Sequence, residues 1–121
     1  MTDETPPLSI PHVQAALLSE AARSAAVGFL VWDDDRRYVA ANPRACEILA
    51  CTLEELIGSV VGSRTIDGDA LVRRVVHEEG GQGQMVATRF DGKEQKLGYV
   101  SFGTRIAGIP YMASIIWPLD S

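Results

Sequence analysis

The chain has 121 residues, 46% hydrophobic and 22% charged, with a formal net charge of −5. That is one domain's length with enough apolar content to bury a core unaided, and the acidic balance argues against general nucleic-acid binding, which needs a basic footprint. No apolar run approaches the roughly 18–20 residues that cross a bilayer, and the acidic N-terminus lacks the basic and apolar regions of a signal peptide, so the expectation is a cytoplasmic protein with neither membrane nor nucleic-acid partners.

Residues 1–10 carry Pro6-Pro7 and read as a disordered lead. Pro11 suits a first helical turn, and strong helix formers run from there to about Ala26. Val13, Leu17 and Ala21 fall on one face, with Leu18, Ala22 and Ala25 beside them, so residues 11–26 read as an amphipathic capping or dimerisation helix. Residues 27–121 form the domain proper. Residues 29–32, FLVW, are a short strand. Asp33-Asp34-Asp35 is a turn, and Tyr38 to Ala41 returns as a second strand.

Asn42-Pro43 reads as an N-cap followed by proline at the first helical position. Thr52 and Glu55 make a capping box, with Cys51 and Leu56 as its hydrophobic staple, and Gly58 stops that helix. Gly62 to Asp69 reads as irregular. Leu71, Val72, Val75 and Val76 follow at helical spacing, ended by Gly80-Gly81. Three strands close the chain, GQMVATRF, KLGYVSFGTRI and IPYMASIIW, with turns at Asp91-Gly92 and Ala107-Gly108. Strands at both ends with helices between them imply an α+β fold with an antiparallel sheet.

The chemistry-bearing residues are sparse. Cys46 and Cys51, the only cysteines, suit no metal template without nearby histidines, and they read as two small buried hydrophobes. The two histidines lie far apart in sequence. Gly80-Gly81-Gln82-Gly83 precedes a strand rather than a helix, the wrong context for a phosphate loop. No nucleophile–base constellation appears, so the expectation is not an enzyme.

GFLVWDDDRRYVAANPRACEIL, TLEELIG, FDGKEQ and a final strand running into Leu119-Asp120 together resemble a PAS domain, over about residues 27–120. The resemblance implies a sensory and interaction module with a five-stranded antiparallel sheet. It also implies short helices that close one face of the sheet over a small-molecule pocket, with an effector partner outside this chain.

Period-two alternation splits the long strands into two sets of side chains. By the resemblance, Met85, Ala87, Leu97, Tyr99, Ser101, Met112, Ser114 and Ile116 face the helices. Leu30 and Trp32 join them from the first strand, and Val61, Leu71, Val72 and Val75 from the lid. The set on the three long strands holds no Lys, Arg or His, and its polar atoms are three hydroxyls. Such a lining suits a narrow cavity for a lipid-like or aromatic molecule. About ten methylenes at roughly 0.8 kcal/mol each reach micromolar affinity after the costs of association. A medium or long fatty acid, held non-covalently with its carboxylate toward solvent or Arg64, is the first ligand expected. The alternative is a packed, ligand-free core and a pure protein–protein interaction module.

Flavin photosensors of this family carry a reactive cysteine where this chain has Val61. At the sheet positions that offer amides to the flavin, this chain has Ala87, Leu97 and Ile116. Haem-binding relatives place a histidine near Asp67, and His77 lies about three turns later, where it reads as a charge at the helix's negative end. The resemblance therefore argues against both cofactors.

The opposite set, including Val100, Phe102, Tyr111, Ile115 and Trp117, is as apolar as the inner one and too large a patch for a lone domain. The helix 11–26, through Val13, Leu17 and Leu18, is expected to cover its own sheet or a partner's. The expected assembly is a homodimer anchored by Phe102 and Trp117.

Overall fold

The computed structural model describes residues 8–119. Residues 1–7 of the expected disordered lead lie outside the described residues, as does Asp120; residues 8–10 turn into the first helix. In chain order the elements are α1 (Pro11–Arg23), β1 (Gly28–Trp32), β2 (Tyr38–Ala41), α2 (Pro43–Leu49), α3 (Leu53–Leu56), α4 (Gly68–His77), β3 (Gly80–Thr88), β4 (Glu94–Ile106) and β5 (Ile109–Pro118). The sheet has five strands in the order β2-β1-β5-β4-β3, and every pairing is antiparallel. Three pairings are hairpins between consecutive strands. The fourth joins β1 to β5 and brings both ends of the domain to the centre of the sheet. The α+β architecture implied by the order of elements is the one observed. No helix among the described residues is long and apolar enough to cross a membrane.

Local sequence chemistry accounts for most of the boundaries. The Asp91-Gly92 turn is closed by the Arg89 N–H on the Lys93 carbonyl and the Gly92 N–H on the Arg89 carbonyl. The Ala107-Gly108 turn sits between the paired Ile106 and Ile109. Thr52 and Glu55 form the capping box of α3 in both directions, at 3.1 and 2.9 Å.

Two boundaries differ most from the sequence expectation. Helix α1 ends at Arg23, not Ala26, because Asn42 captures its last turn. The Asn42 amide donates to the Ala22 carbonyl at 2.6 Å and to the Val27 carbonyl at 3.0 Å. Its oxygen accepts from the Phe29 N–H at 2.9 Å and from the Ala45 N–H at 3.0 Å. One buried side chain thus satisfies both its donors and both its acceptor positions while tying α1, β1 and α2 together. The second difference lies at Gly80-Gly81, which opens β3 instead of breaking the chain before it. The reversal is made one residue earlier by Glu79, with φ 57°. Gly80 is needed for close approach, since a Cβ there would stand 2.9 Å from the Ser101 carbonyl oxygen on β4.

Candidate functional site

The inner sheet face and the short helices enclose the core. Leu30, Trp32, Val72, Val75, Ala87, Leu97, Tyr99 and Ile116 are buried in it, with Ala45 and Ile48 of α2 and Leu56 of α3. Leu71, Met85, Met112 and Val61 pack against it, partly buried. Its polar atoms are paired: the Trp32 Nε1–H donates to Ser114 Oγ at 3.0 Å, and Ser114 Oγ lies 2.7 Å from Ser101 Oγ. The Arg74 guanidinium reaches the Tyr99 hydroxyl at 3.3 Å from α4. The two serines are paired in register across β4 and β5, so a polar chain from Trp32 to Ser101 crosses the middle of an apolar interior.

Most of the expected ligand-lining residues converge on one cavity. Leu30, Trp32, Val61, Leu71, Val72 and Val75 line it, with Met85, Tyr99, Ser101, Ser114 and Ile116. Its volume is about 50 Å³, against the roughly 300–1,000 Å³ of typical ligand pockets. A second cavity of about 40 Å³ adjoins it and takes in Arg64 and Ala87. The interior as it stands is therefore too small for a ten-methylene chain. Leu97 lines neither cavity and is fully buried in packed core. Met112 also lines neither; it borders an outer groove of about 560 Å³ beside Trp32 and Tyr111. Arg64 is not a free cation at a mouth, since its guanidinium lies 3.8 Å over the Phe90 ring.

The cavities include residues that the sequence pattern did not single out. Tyr38, Gly62 and Thr65 line both. Tyr38 reaches the interior because β2 carries a bulge: Leu30 pairs with Ala41 and Val31 with Ala40, but Trp32 pairs with Tyr38. The extra residue resets the alternation. Burial, and then the neighbouring Cys51, push the Tyr38 phenol up to about 12. Thr65 is brought in by a bridge between the connecting segment and Ala87, where its hydroxyl meets the Met85 sulfur at 4.0 Å. Residues 62–65 of the segment read as irregular form one wall of the cavities, and its last two residues, Gly68 and Asp69, already belong to α4.

The outer face keeps the expected alternation. Val100, Tyr111, Ile115 and Trp117 are half-buried, and Phe102 is 39% exposed. Helix α1 leaves this part of the sheet uncovered. Its C-terminal turn stands instead over the β1–β2 end, where Ser19, Ala22 and Arg23 border a groove of about 750 Å³ with Phe29, Val31 and Ala40 opposite. No residue of α1 is buried; Leu17 and Leu18 are exposed and Val13 is half-exposed. Cys46 and Cys51 are half-buried rather than fully buried, and both line that groove.

A family model described as the PAS fold matches residues 22–97. No curated protein sequence matches the chain. Among solved structures, the PAS domain of an HTR-like protein from Haloarcula marismortui superposes with a TM-score of 0.77 at 15% identity, covering 90% of this chain and 94% of that one. A domain of a sensory box sensor histidine kinase/response regulator from Geobacter sulfurreducens gives 0.77 at 16%, covering 91% and 98%. An RNA-binding light-oxygen-voltage receptor gives 0.79 at 16%, covering 98% of this chain and 36% of its own. At these identities the likeness is one of fold.

Proposed function

The chain belongs to the PAS fold family, and from that premise we propose that it is a sensory or signalling module that works as a homodimer through its outer sheet face, with α1 of one protomer laid on the sheet of the other. The observation that carries this is the pairing of two unfilled apolar surfaces. The sheet presents Val100, Phe102, Tyr111, Ile115 and Trp117, while α1 presents Leu17 and Leu18 and buries nothing. A shared interface removes both from water. The reading assigns no catalysis to the domain, since His12 stands in α1 and His77 at the end of α4. One structural neighbour is part of a sensor histidine kinase/response regulator, and an effector of that kind is the partner we propose. Light scattering on the parent and on a Phe102→Glu variant tests the reading: a dimer is expected for the first and a monomer for the second.

A second reading, a fatty-acid-like ligand in the interior, rests on the arrangement of the two cavities. They share Leu30, Tyr38, Gly62, Thr65, Met85 and Ile116. We propose that movement of the adaptable Met85 and of the 62–67 segment opens them into one larger apolar channel running from the serines toward Arg64. Thermal shift across fatty acids of several chain lengths, with native mass spectrometry of protein taken from cells, separates this reading from a closed interior. Flavin and haem have no place in either reading, given Val61 on the cavity wall and Asp67 at the start of α4. The purified protein is expected to be colourless, and an absorbance band of either chromophore would contradict that.

A further inference from the structure

The described residues hold a pair of thiols that neither reading uses. Helix α2 ends in a two-bond Schellman closure: Ala50 takes the left-handed conformation at φ 57°, its N–H bonds the Glu47 carbonyl at 3.2 Å, and the Cys51 N–H bonds the Cys46 carbonyl at 3.0 Å. In this motif the residues two past the cap and three before it are frequently in contact. Here those positions are Cys51 and Cys46. The bond from the Cys51 N–H to the Cys46 carbonyl thus brings the two cysteines together across the closure. Both cysteines are free and half-buried, and both line the groove of about 750 Å³ that opens beneath the last turn of α1.

We infer that Cys46 and Cys51 form a reversible dithiol–disulfide site, oxidised by hydrogen peroxide that enters along this groove. The Cys46 sulfur attacks peroxide, the O–O bond breaks, and Cys46 sulfenic acid and one water result. The Cys51 sulfur then attacks the Cys46 sulfur; the S–O bond breaks, and the hydroxide takes the Cys51 proton to leave as a second water. Two thiols and one peroxide give one disulfide and two waters, with the sulfurs losing two electrons and the peroxide gaining them. The order follows from surroundings. Burial, the Cys46 thiol and Glu55 hold Cys51 up at about 11, against a smaller opposing pull from Arg64, so the first attack falls to Cys46. The bond clamps the α2–α3 corner, and α2 is the helix whose N-cap, Asn42, holds the end of α1.

The chain has no other cysteine, which makes the test clean. The parent is treated with hydrogen peroxide at neutral pH, alkylated, and weighed intact. The expected result is loss of both alkylation sites together with the mass of two hydrogens, a peptide cross-linked from Cys46 to Cys51, and full recovery with dithiothreitol. With dimedone present, Cys51→Ser, or Cys51→Ala should the serine unsettle the fold, is expected to take one adduct at Cys46. Thiols that stay fully alkylatable after peroxide, a disulfide between chains, or a dimedone adduct on Cys51 of a Cys46→Ser variant would each overturn the inference.

Discussion

The indole of Trp117 on β5 occupies the space that a Cβ would need at its cross-strand partner Gly98 on β4. Gly98 is buried, and the aromatic ring covers the backbone where a side chain is missing. Gly98→Ala is therefore expected to force the indole outward and cost about 1–3 kcal/mol, in the range of overpacked sites. Urea unfolding should show a lower midpoint with an unchanged slope; an unchanged midpoint would mean that Trp117 moves freely.

Ser114 stands between Trp32 and Ser101 and serves both. Ser114→Ala leaves the buried indole N–H without its acceptor, at an expected cost of about 1–3 kcal/mol. Ser114→Phe puts a ring into about 50 Å³ and should destabilise more strongly. A Phe variant as stable as the parent, combined with a parent whose melting temperature rises with fatty acid, would show that the interior opens and would favour the ligand-binding reading.

Asn42→Ala removes four hydrogen bonds at once. The expected loss is about 2 kcal/mol, the upper end for an N-cap. Amide exchange should quicken in α1 before it does in the central strands. Equal quickening everywhere would mean that Asn42 supports the whole domain and not the helix in particular.

The alkaline limb of stability reports on Tyr38 and Cys51. Folding raises the phenol from 10.0 to about 12 and the thiol from 9.0 to about 11, in each case chiefly by burial. Across this window the unfolded chain has released protons that the folded chain retains. The stabilisation is therefore complete below pH 9 and is lost as pH rises through the folded values. Tyr38→Phe should flatten the upper part of that fall in a series of chemical denaturations; a parent that is flat from neutral pH to 12 would contradict the burial of the phenol.

The features carried by a few adjacent residues were legible in the sequence. Asn42-Pro43, the Thr52–Glu55 box and the two glycine-bearing turns each follow from local hydrogen bonding, and together they set the order of elements. The two faces were legible too: strict alternation along β4 and β5 separates Leu97, Tyr99 and Ser101 from Val100 and Phe102, and the resemblance to the PAS domain indicated which set faces the helices. What escaped depended on contacts between distant segments. The bulge that turns Tyr38 inward arises from the pairing of β1 with β2, and α1 stops where Asn42, twenty residues away, catches its carbonyl. Cavity size escaped for the same reason. Alternation names the residues on a wall, but the distance between the walls is set by how α4 and the 62–67 segment settle on the sheet. The closure that brings Cys46 and Cys51 together was half-visible: the spacing was plain, but the left-handed Ala50 that makes it has no glycine to announce it.

The central claim is that the outer sheet face is a dimer interface, and the most direct measurement is the molar mass of the parent and of Phe102→Glu by light scattering over a dilution series. Phe102 is exposed on that face and paired in register with Ala113, so a carboxylate there burdens the interface without entering the core. The account predicts a parent at twice the chain mass and a folded variant at the chain mass, with the variant's secondary structure intact by circular dichroism. A parent that is monomeric at every concentration, or a variant that keeps the parent's mass, would contradict it.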